Sequence, residues 1–250
     1  MPAAAAKSPH TLKDYAGLLA ALTQDGLEVM VIGGCAVGAY AELRGETVYS
    51  GDLDVYTTTD TQIQVMDWAA RHGIKLVKRP QPRALSVAFL EWQGKEINVL
   101  TETKGLPPPA EAFQEGRVFH LKDQGGLDVL VVDPYDLLRC KLEVNREKDR
   151  PHQEVLRRFL EEEVVESFRA ETKARDRIAP AQRLLEVLGA RYLPEGLARR
   201  LLPHARLASD FRFLLGRAPG AEFAEEVLRA VPESLGLRED LERIRGRRQS

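Results

Sequence analysis

The 250-residue chain carries 44% hydrophobic and 30% charged residues, an ordinary globular composition with enough length to bury a core as one large domain or two modest ones. Its net charge of −2 gives no basic signature of bulk nucleic-acid binding. The longest nearly uncharged apolar run, Val29 to Ala41, is interrupted by Gly33, Gly34 and Gly38 and is too short to span a bilayer, so no membrane role is expected. The alanine-rich stretch Pro2 to Ala6 lacks the basic and apolar regions of an export signal, and Cys35 and Cys140 lie in apolar segments as buried thiols rather than a disulfide; both features fit a cytoplasmic protein.

Residues 1–10 read as a disordered lead. Thr11 then opens an amphipathic helix with Leu12, Tyr15, Leu18, Leu19 and Leu22 on one face and Asp14 at the N3 position of a capping box, and Asp25-Gly26 ends it. Val29 to Ile32 is a short apolar strand, followed by Gly33-Gly34 and a helix from Cys35 to about Leu43 with Gly45 at its C-terminal cap. A second strand runs from about Leu53 to Thr57, and Asp60 is placed to cap a helix over Thr61 to His72. Beyond Ile74 to Lys78, the strands Leu85 to Trp92 and Lys95 to Thr101 meet at Gln93-Gly94 as an antiparallel hairpin. Pro107-Pro108-Pro109 reads as a loop, strands return at Arg117 to Leu121 and Leu127 to Val132, and Asp133-Pro134 supplies a capping acid and an N1 proline for a helix. From about His152 onward the apolar groups Leu156, Phe159, Leu160, then Leu184, Leu185, Leu188, then Phe211, Phe213, Leu214, Leu215 suggest packed helices punctuated by Pro180, Pro194, Pro203, Pro219 and Pro232. The expected organisation is an α/β (α+β) domain over residues 11–150 and a helical domain over residues 151–250. The charges divide weakly between them, 17 basic and 21 acidic residues up to residue 150 and 19 and 17 beyond it; Arg243, Arg245, Arg247 and Arg248 read as a solvated helix tail.

Two stretches carry chemistry. Glycines at 33 and 34, after a buried strand and before a helix, let a backbone approach a phosphate beside the positive end of the helix dipole, although taken alone such a pair is more often just a tight turn. They fit neither the dinucleotide fingerprint nor a P-loop. In Ser50-Gly51-Asp52-Leu53-Asp54-Val55-Tyr56, the period of a strand puts Asp52, Asp54 and Tyr56 on one face and Leu53 and Val55 on the other. Two carboxylates side by side repel, and a hard divalent cation completed by substrate phosphates offsets that repulsion; an acidic edge that blunts aggregation is the plainer alternative. Tyr49, Tyr56, Trp68 and Trp92 read as core or half-buried aromatics, and the histidines form no zinc spacing with cysteine.

Taken in order, Gly33-Gly34, a helix, then Ser50-Gly51-Asp52-Leu53-Asp54 resembles the signature of the DNA polymerase β-like nucleotidyltransferase superfamily. Downstream, Asp133-Pro134-Tyr135-Asp136-Leu137-Leu138, Lys141-Leu142 and Arg146-Glu147-Lys148-Asp149 look like the helix that closes this domain in small bacterial members. The resemblance covers about residues 11 to 160. It implies a nucleotidyltransferase fold, a mixed sheet flanked by helices, here followed by a C-terminal helical region. It also implies Asp52 and Asp54 as ligands of Mg2+ or Mn2+, Gly33 and Gly34 along the triphosphate, and Ser50 on an oxygen or orienting Asp52. The family's third carboxylate would fall where this chain has Asn98, within Ile97-Asn98-Val99-Leu100, with Glu96 two residues earlier on the same face as a longer substitute. Three outcomes follow: Glu96 reaches in, Asn98 suffices with Mn2+ or slow turnover, or the site binds nucleotide and catalyses nothing. Lys141 and Lys148, spaced two helical turns apart, with Arg146 nearby, and Arg44 are candidate phosphate partners, against a plainer reading of Arg146, Lys148 and Asp149 as surface ion pairs. The implied reaction moves a nucleoside monophosphate from a nucleoside triphosphate to an acceptor, which is RNA, protein or a small molecule, with release of pyrophosphate. A regulatory nucleotide-binding protein and a toxin–antitoxin or phage-defence component are the alternatives. Apolar faces in the helical half suit packing on the α/β half or a homo-oligomer.

Overall fold

The computed structural model describes residues 9–81, 87–121 and 126–249. The chain divides into two compact units, Met1–Arg157 and Arg158–Ser250.

The first unit is a seven-stranded mixed sheet with helices. Its opening 3-10 turn, Leu12–Tyr15, leads into α1 (Ala16–Gln24). The Asp14 carboxylate accepts from the Thr11 backbone N–H at 2.7 Å and the Thr11 hydroxyl at 3.0 Å, as the capping-box pattern predicts. β1 (Met30–Ile32) is buried on both faces and passes directly into α2 (Gly33–Glu42), which starts two residues earlier than expected, at the glycine pair itself. After β2 (Asp52–Tyr56), α3 (Thr59–Arg71) is capped by the Thr58 hydroxyl, which accepts from Thr61 N–H at 3.2 Å; Asp60 lies inside the first turn instead of capping it. β3 (Lys75–Lys78), β4 (Val87–Trp92) and β5 (Lys95–Leu100) follow. Gln93 and Gly94 turn between β4 and β5 with φ of 52° and 75°, the left-handed pair that a tight hairpin of twisted strands requires. The predicted strand began at Leu85, and residues 85–86 lie outside the described residues. The triple-proline segment is a loop only up to Pro108, because Pro109 takes the N1 position of a short helix, α4 (Pro109–Glu115). β6 (Arg117–Leu121), β7 (Leu127–Val131) and α5 (Pro134–Val144) complete the sheet unit; Asp133 caps α5 by accepting from Tyr135 N–H at 3.0 Å and Asp136 N–H at 3.4 Å.

The strand order is β3-β4-β5-β2-β1-β7-β6. β2 runs antiparallel to β1 and parallel to β5, and β1 runs parallel to β7. Leu53 and Val55 are fully buried, which fixes the opposite face of β2 for Asp52 and Asp54. Of the predicted disordered lead, residues 1–8 lie outside the described residues, but His10 exchanges two 2.8 Å backbone hydrogen bonds with Ser50 and so ties the chain's start to the segment before Asp52. Tyr49 departs from expectation: it is 58% exposed, not half-buried, whereas Tyr56 is buried and donates its hydroxyl to Pro107 O at 3.0 Å.

The second unit is helical among its described residues. The boundary falls within α6 (Arg150–Ala170), followed by α7 (Ala174–Leu188), α8 (Glu195–Leu201), α9 (Ala208–Gly216), α10 (Ala221–Ala230) and α11 (Arg238–Gln249). Pro180 does not separate helices but sits inside α7. It forgoes one backbone bond, a loss that tertiary packing of Ala181, Leu184 and Leu185 offsets. Arg245 of the basic tail pairs with Glu225 at 2.8 Å; the side chains of Arg247 and Arg248 lie outside the described residues. No helix among the described residues is long and apolar enough to cross a membrane.

Candidate nucleotide and metal site

The parallel pairing of β2 with β5 sets Asp52 beside Glu96 and Asp54 beside Asn98. Direct partners in a ladder share a face, so all four side chains stand together on one side of the sheet. The Asn98 amide nitrogen donates to Asp54 Oδ1 at 2.8 Å and lies 3.4 Å from Asp52 Oδ2. Ser50 donates its hydroxyl to the other Asp52 oxygen at 3.3 Å. Burial pushes the Asp54 carboxyl above its ordinary value and the charge on Asp52 adds to this; the Asn98 hydrogen bond and the charges of Lys141 and Arg146 oppose it. The Cys35 thiol, which donates to Asp52 O at 3.4 Å, is pushed up to about 12, chiefly by burial, and is no nucleophile at neutral pH.

The glycine pair is fitted to this carboxylate face. Gly33 has φ of +68°, and a Cβ there would stand 2.0 Å from Asp54 Oδ2; a Cβ on Gly34 would stand 2.4 Å from Ser50 Oγ. Asp54 therefore lies directly over the start of α2, and the glycines serve close packing as well as backbone conformation. Gly33→Ala is expected to displace the Asp54 carboxylate and to cost about 1–3 kcal/mol from the left-handed conformation alone. Chemical denaturation together with Mn2+ titration checks both effects.

A cationic cluster adjoins the site. Lys141, at the C-terminal end of α5, donates to Asp149 Oδ1 at 2.9 Å, and Arg146 donates to Asp149 from Nε at 2.6 Å and from a terminal nitrogen at 3.3 Å. Lys141 and Asp149 are 5% and 1% exposed, so this is a buried charge centre rather than a surface pair. Burial alone would raise the Asp149 carboxyl, but the bonds from Arg146 and Lys141 outweigh it and hold the group at about 2. The expected Lys141–Lys148 helical face does not exist: Asn145 adopts a left-handed C-cap with φ of 47°, α5 stops, and Lys148 falls exposed in the following 3-10 turn. Arg44 is not brought in either. It lies past the C-terminal end of α2, about 15 Å along the axis from the glycine pair, and is exposed. Sequence reasoning missed His152, whose ring lies 3.5 Å from a Cβ built on Gly34, and it missed the burial of Asp149. Asn145 was the available signal, since asparagine tolerates the left-handed helix end that folds this segment back.

A cavity of about 430 Å3 opens on the same sheet face, lined by Gly51, Phe89, Glu91, Lys95 and Glu96 together with His10. Register sets its lining next to the carboxylates: Glu91 pairs with Glu96 and Phe89 with Asn98 across β4 and β5, and Glu96 pairs with Asp52.

The donor set fits one divalent cation in part. Among the described residues no three acidic, histidine or cysteine side chains gather as a ready cage. Two aspartates converge instead with the Asn98 amide nitrogen between them, while Asn98 Oδ1 is buried without a hydrogen-bond partner, so the amide offers a cation its oxygen only with the group reversed. Two carboxylates, completed by phosphate and water, are surroundings Mg2+ or Mn2+ accepts.

The sequence matches no family model and no curated protein. Structural neighbours of the chain are nucleotidyltransferases. One is the lincosamide antibiotic adenylyltransferase LnuA in a lincomycin-bound crystal structure, with 12% identity, 61% of this chain and 99% of that chain covered, and a TM-score of 0.46. A second is the antibiotic-resistance factor ANT(2'')-Ia in solution, with 15% identity, coverage of 71% and 96%, and a TM-score of 0.45. A third is an antigenic nucleotidyltransferase-like protein from Paracoccidioides brasiliensis, with 14% identity, coverage of 96% and 95%, and a TM-score of 0.34.

Proposed function

We propose that this chain is a divalent-metal-dependent nucleotidyltransferase. The observation that carries the proposal is the meeting of Asp52 and Asp54 with the Gly33 start of α2, where a carboxylate pair lies against a helix N-terminus with Lys141 and Arg146 close enough to act on Asp54. Paired anions at the positive end of a helix are placed to hold a cation and a polyphosphate together. Asp52 and Asp54 would hold Mg2+ or Mn2+, which would supply neutralisation of the phosphate charge and a lower pKa for the acceptor hydroxyl. The first turn of α2, Lys141 and Arg146 receive the triphosphate. The acceptor oxygen forms its bond to the α-phosphorus as the bond to the bridging oxygen breaks, and pyrophosphate leaves.

The cavity beside Glu96 is the acceptor site in this reading. Its volume lies in the range of small-molecule sites, which favours a small hydroxyl-bearing acceptor over RNA or protein. Glu96, next to Asp52 in register and lining that cavity, is placed to take the proton from the acceptor hydroxyl.

One observation favours a second reading. The Asn98 amide donates to both carboxylates and supplies no negative charge, which suits a protein that binds nucleotide without turnover. Calorimetric titration of the four nucleoside triphosphates with Mg2+, Mn2+ or EDTA, beside a pyrophosphate-release assay, separates the two. Metal-dependent binding with release supports the enzyme, binding without release across small-molecule, RNA and protein acceptors supports the second reading, and absence of binding sinks both. Asn98→Asp sharpens the comparison. Three clustered carboxylates should lower the melting temperature in EDTA, restore it with Mn2+ and tighten Mn2+ binding by about tenfold, the scale of a change in direct contact with metal ligands.

A further inference from the structure

His152 stands in the first turn of α6, within the sheet-bearing unit, and its ring lies beside the start of α2. A Cβ on Gly34 would meet Ser50 Oγ at 2.4 Å and His152 Cε1 at 3.5 Å, so ring, hydroxyl and helix start are packed closely together. The imidazole Nδ1 is buried and has no hydrogen-bond partner among the described residues; the nearest carboxylate oxygen, Asp149 Oδ1, is 3.8 Å away, beyond bonding reach. A buried polar nitrogen left unmatched bears its whole desolvation penalty, and its retention calls for a partner that arrives later.

The charges around the ring say what kind of partner. Lys141 faces it from α5, and Arg146, Lys148 and Asp149 from the turn that follows, three cations against one anion. On the other side Gly34 and Ser50 are uncharged, and the Asp52 and Asp54 carboxylates lie one contact further, against Ser50 and Gly33. Burial first, then Lys141, lower the imidazole's affinity for a proton, so the ring is neutral at pH 7. A neutral ring with three cations on its near side, at a helix N-terminus whose carboxylates are reserved for a metal ion in the reading above, is an environment completed by an anion.

Resting on the nucleotide reading above, we infer that His152 is a phosphate ligand of this site, donating from an imidazole nitrogen to a nonbridging oxygen of the bound triphosphate. Introduction of the phosphate charge makes the imidazolium favourable, so the ring takes one proton from solution as the complex forms. No other bond changes. The role belongs to binding and positioning, not to the chemical step.

The test is titration of inorganic tripolyphosphate with Mg2+, and of Mg-ATP, into the full chain at pH 7 in two buffers of different ionisation enthalpy, for the natural protein and for His152→Gln. The expected result is proton uptake by the natural protein that is lost in His152→Gln, with affinity for both ligands roughly ten- to a hundredfold weaker, the range for a hydrogen bond to a charged group. Equal affinity and equal proton uptake in the folded variant would overturn the role of His152 while leaving the nucleotide reading intact. No binding of either ligand to the natural protein would remove the nucleotide reading and this inference with it. Should the glutamine variant fail to fold, NMR titration of the His152 ring in the natural protein decides the matter. A pKa raised by saturating tripolyphosphate supports the assignment, and an unmoved one refutes it.

Discussion

Asp52→Asn combined with Asp54→Asn is expected to abolish metal-dependent nucleotide binding while leaving the chain folded and, without metal, slightly more stable. The two carboxylates stand on one face of β2 with the Asn98 amide between them, and Asp54 is pushed toward its neutral form by burial and by Asp52. Because the folded state raises the Asp54 pKa above that of the unfolded chain, the folded state binds the proton more tightly. The stability this group contributes is full below its unfolded pKa of 3.8 and is lost as pH rises through the higher folded value. At pH 7 in EDTA the ionised pair is therefore a burden, and its removal should stabilise by about 1 kcal/mol. That advantage should shrink as the pH is lowered toward 4 and should reverse when Mg2+ and ATP are present, since only the natural protein gains from ligand binding. Thermal melts at two pH values, with and without Mg-ATP, measure every part of this. An unchanged affinity for metal and nucleotide in the folded double variant would show that the aspartates hold neither.

Much of this site was legible because strands repeat every two residues and turns need particular side chains. Leu53 and Val55 fix the face that Asp52 and Asp54 must take, and Gln93-Gly94 fixes the hairpin that carries Asn98. The parallel register that sets Asp52 beside Glu96 and Asp54 beside Asn98 was not legible, because it depends on a crossover through α3 and two further strands and no local pattern encodes it. Two prolines were misjudged for different reasons: Pro109 takes the N1 position that proline favours, and Pro180 lies inside α7, where tertiary packing overrides its local preference. The cationic cluster shows a different limit. Counting seven residues from Lys141 to Lys148 assumes a continuous helix, but the left-handed Asn145 ends α5 and brings Arg146, Asp149 and His152 back toward Lys141 and Gly34. A single residue's backbone conformation thus separates a solvated helix face from a buried charge centre.

The helical unit has its own buried charge centre, and the largest stability loss in the protein is expected there. Arg177 and Asp210 are both fully buried. The guanidinium donates to Asp210 from Nε at 3.1 Å and from a terminal nitrogen at 2.9 Å, and its remaining donors reach Glu171 O at 2.9 Å and His204 O at 2.6 Å. Asp210 in turn accepts from the backbone N–H groups of Arg206 and Leu207, each at 3.0 Å, so one carboxylate caps α9 and anchors α7 together. Asp210→Ala strands a buried guanidinium and opens the cap, and should cost about 3–5 kcal/mol. The exposed pair Arg199–Glu226, at 2.6 Å, sits at the other extreme, where Glu226→Ala should cost less than about 1 kcal/mol. Replacing both members of the buried pair with apolar residues, as in Arg177→Met with Asp210→Leu, removes the stranded charge and should be less damaging than Asp210→Ala alone. Urea unfolding followed by far-ultraviolet circular dichroism orders the three variants. If the double replacement were the worst of them, the pair would owe its place to direct ionic stabilisation; if it were milder, the charges matter chiefly because neither can be left alone in the core.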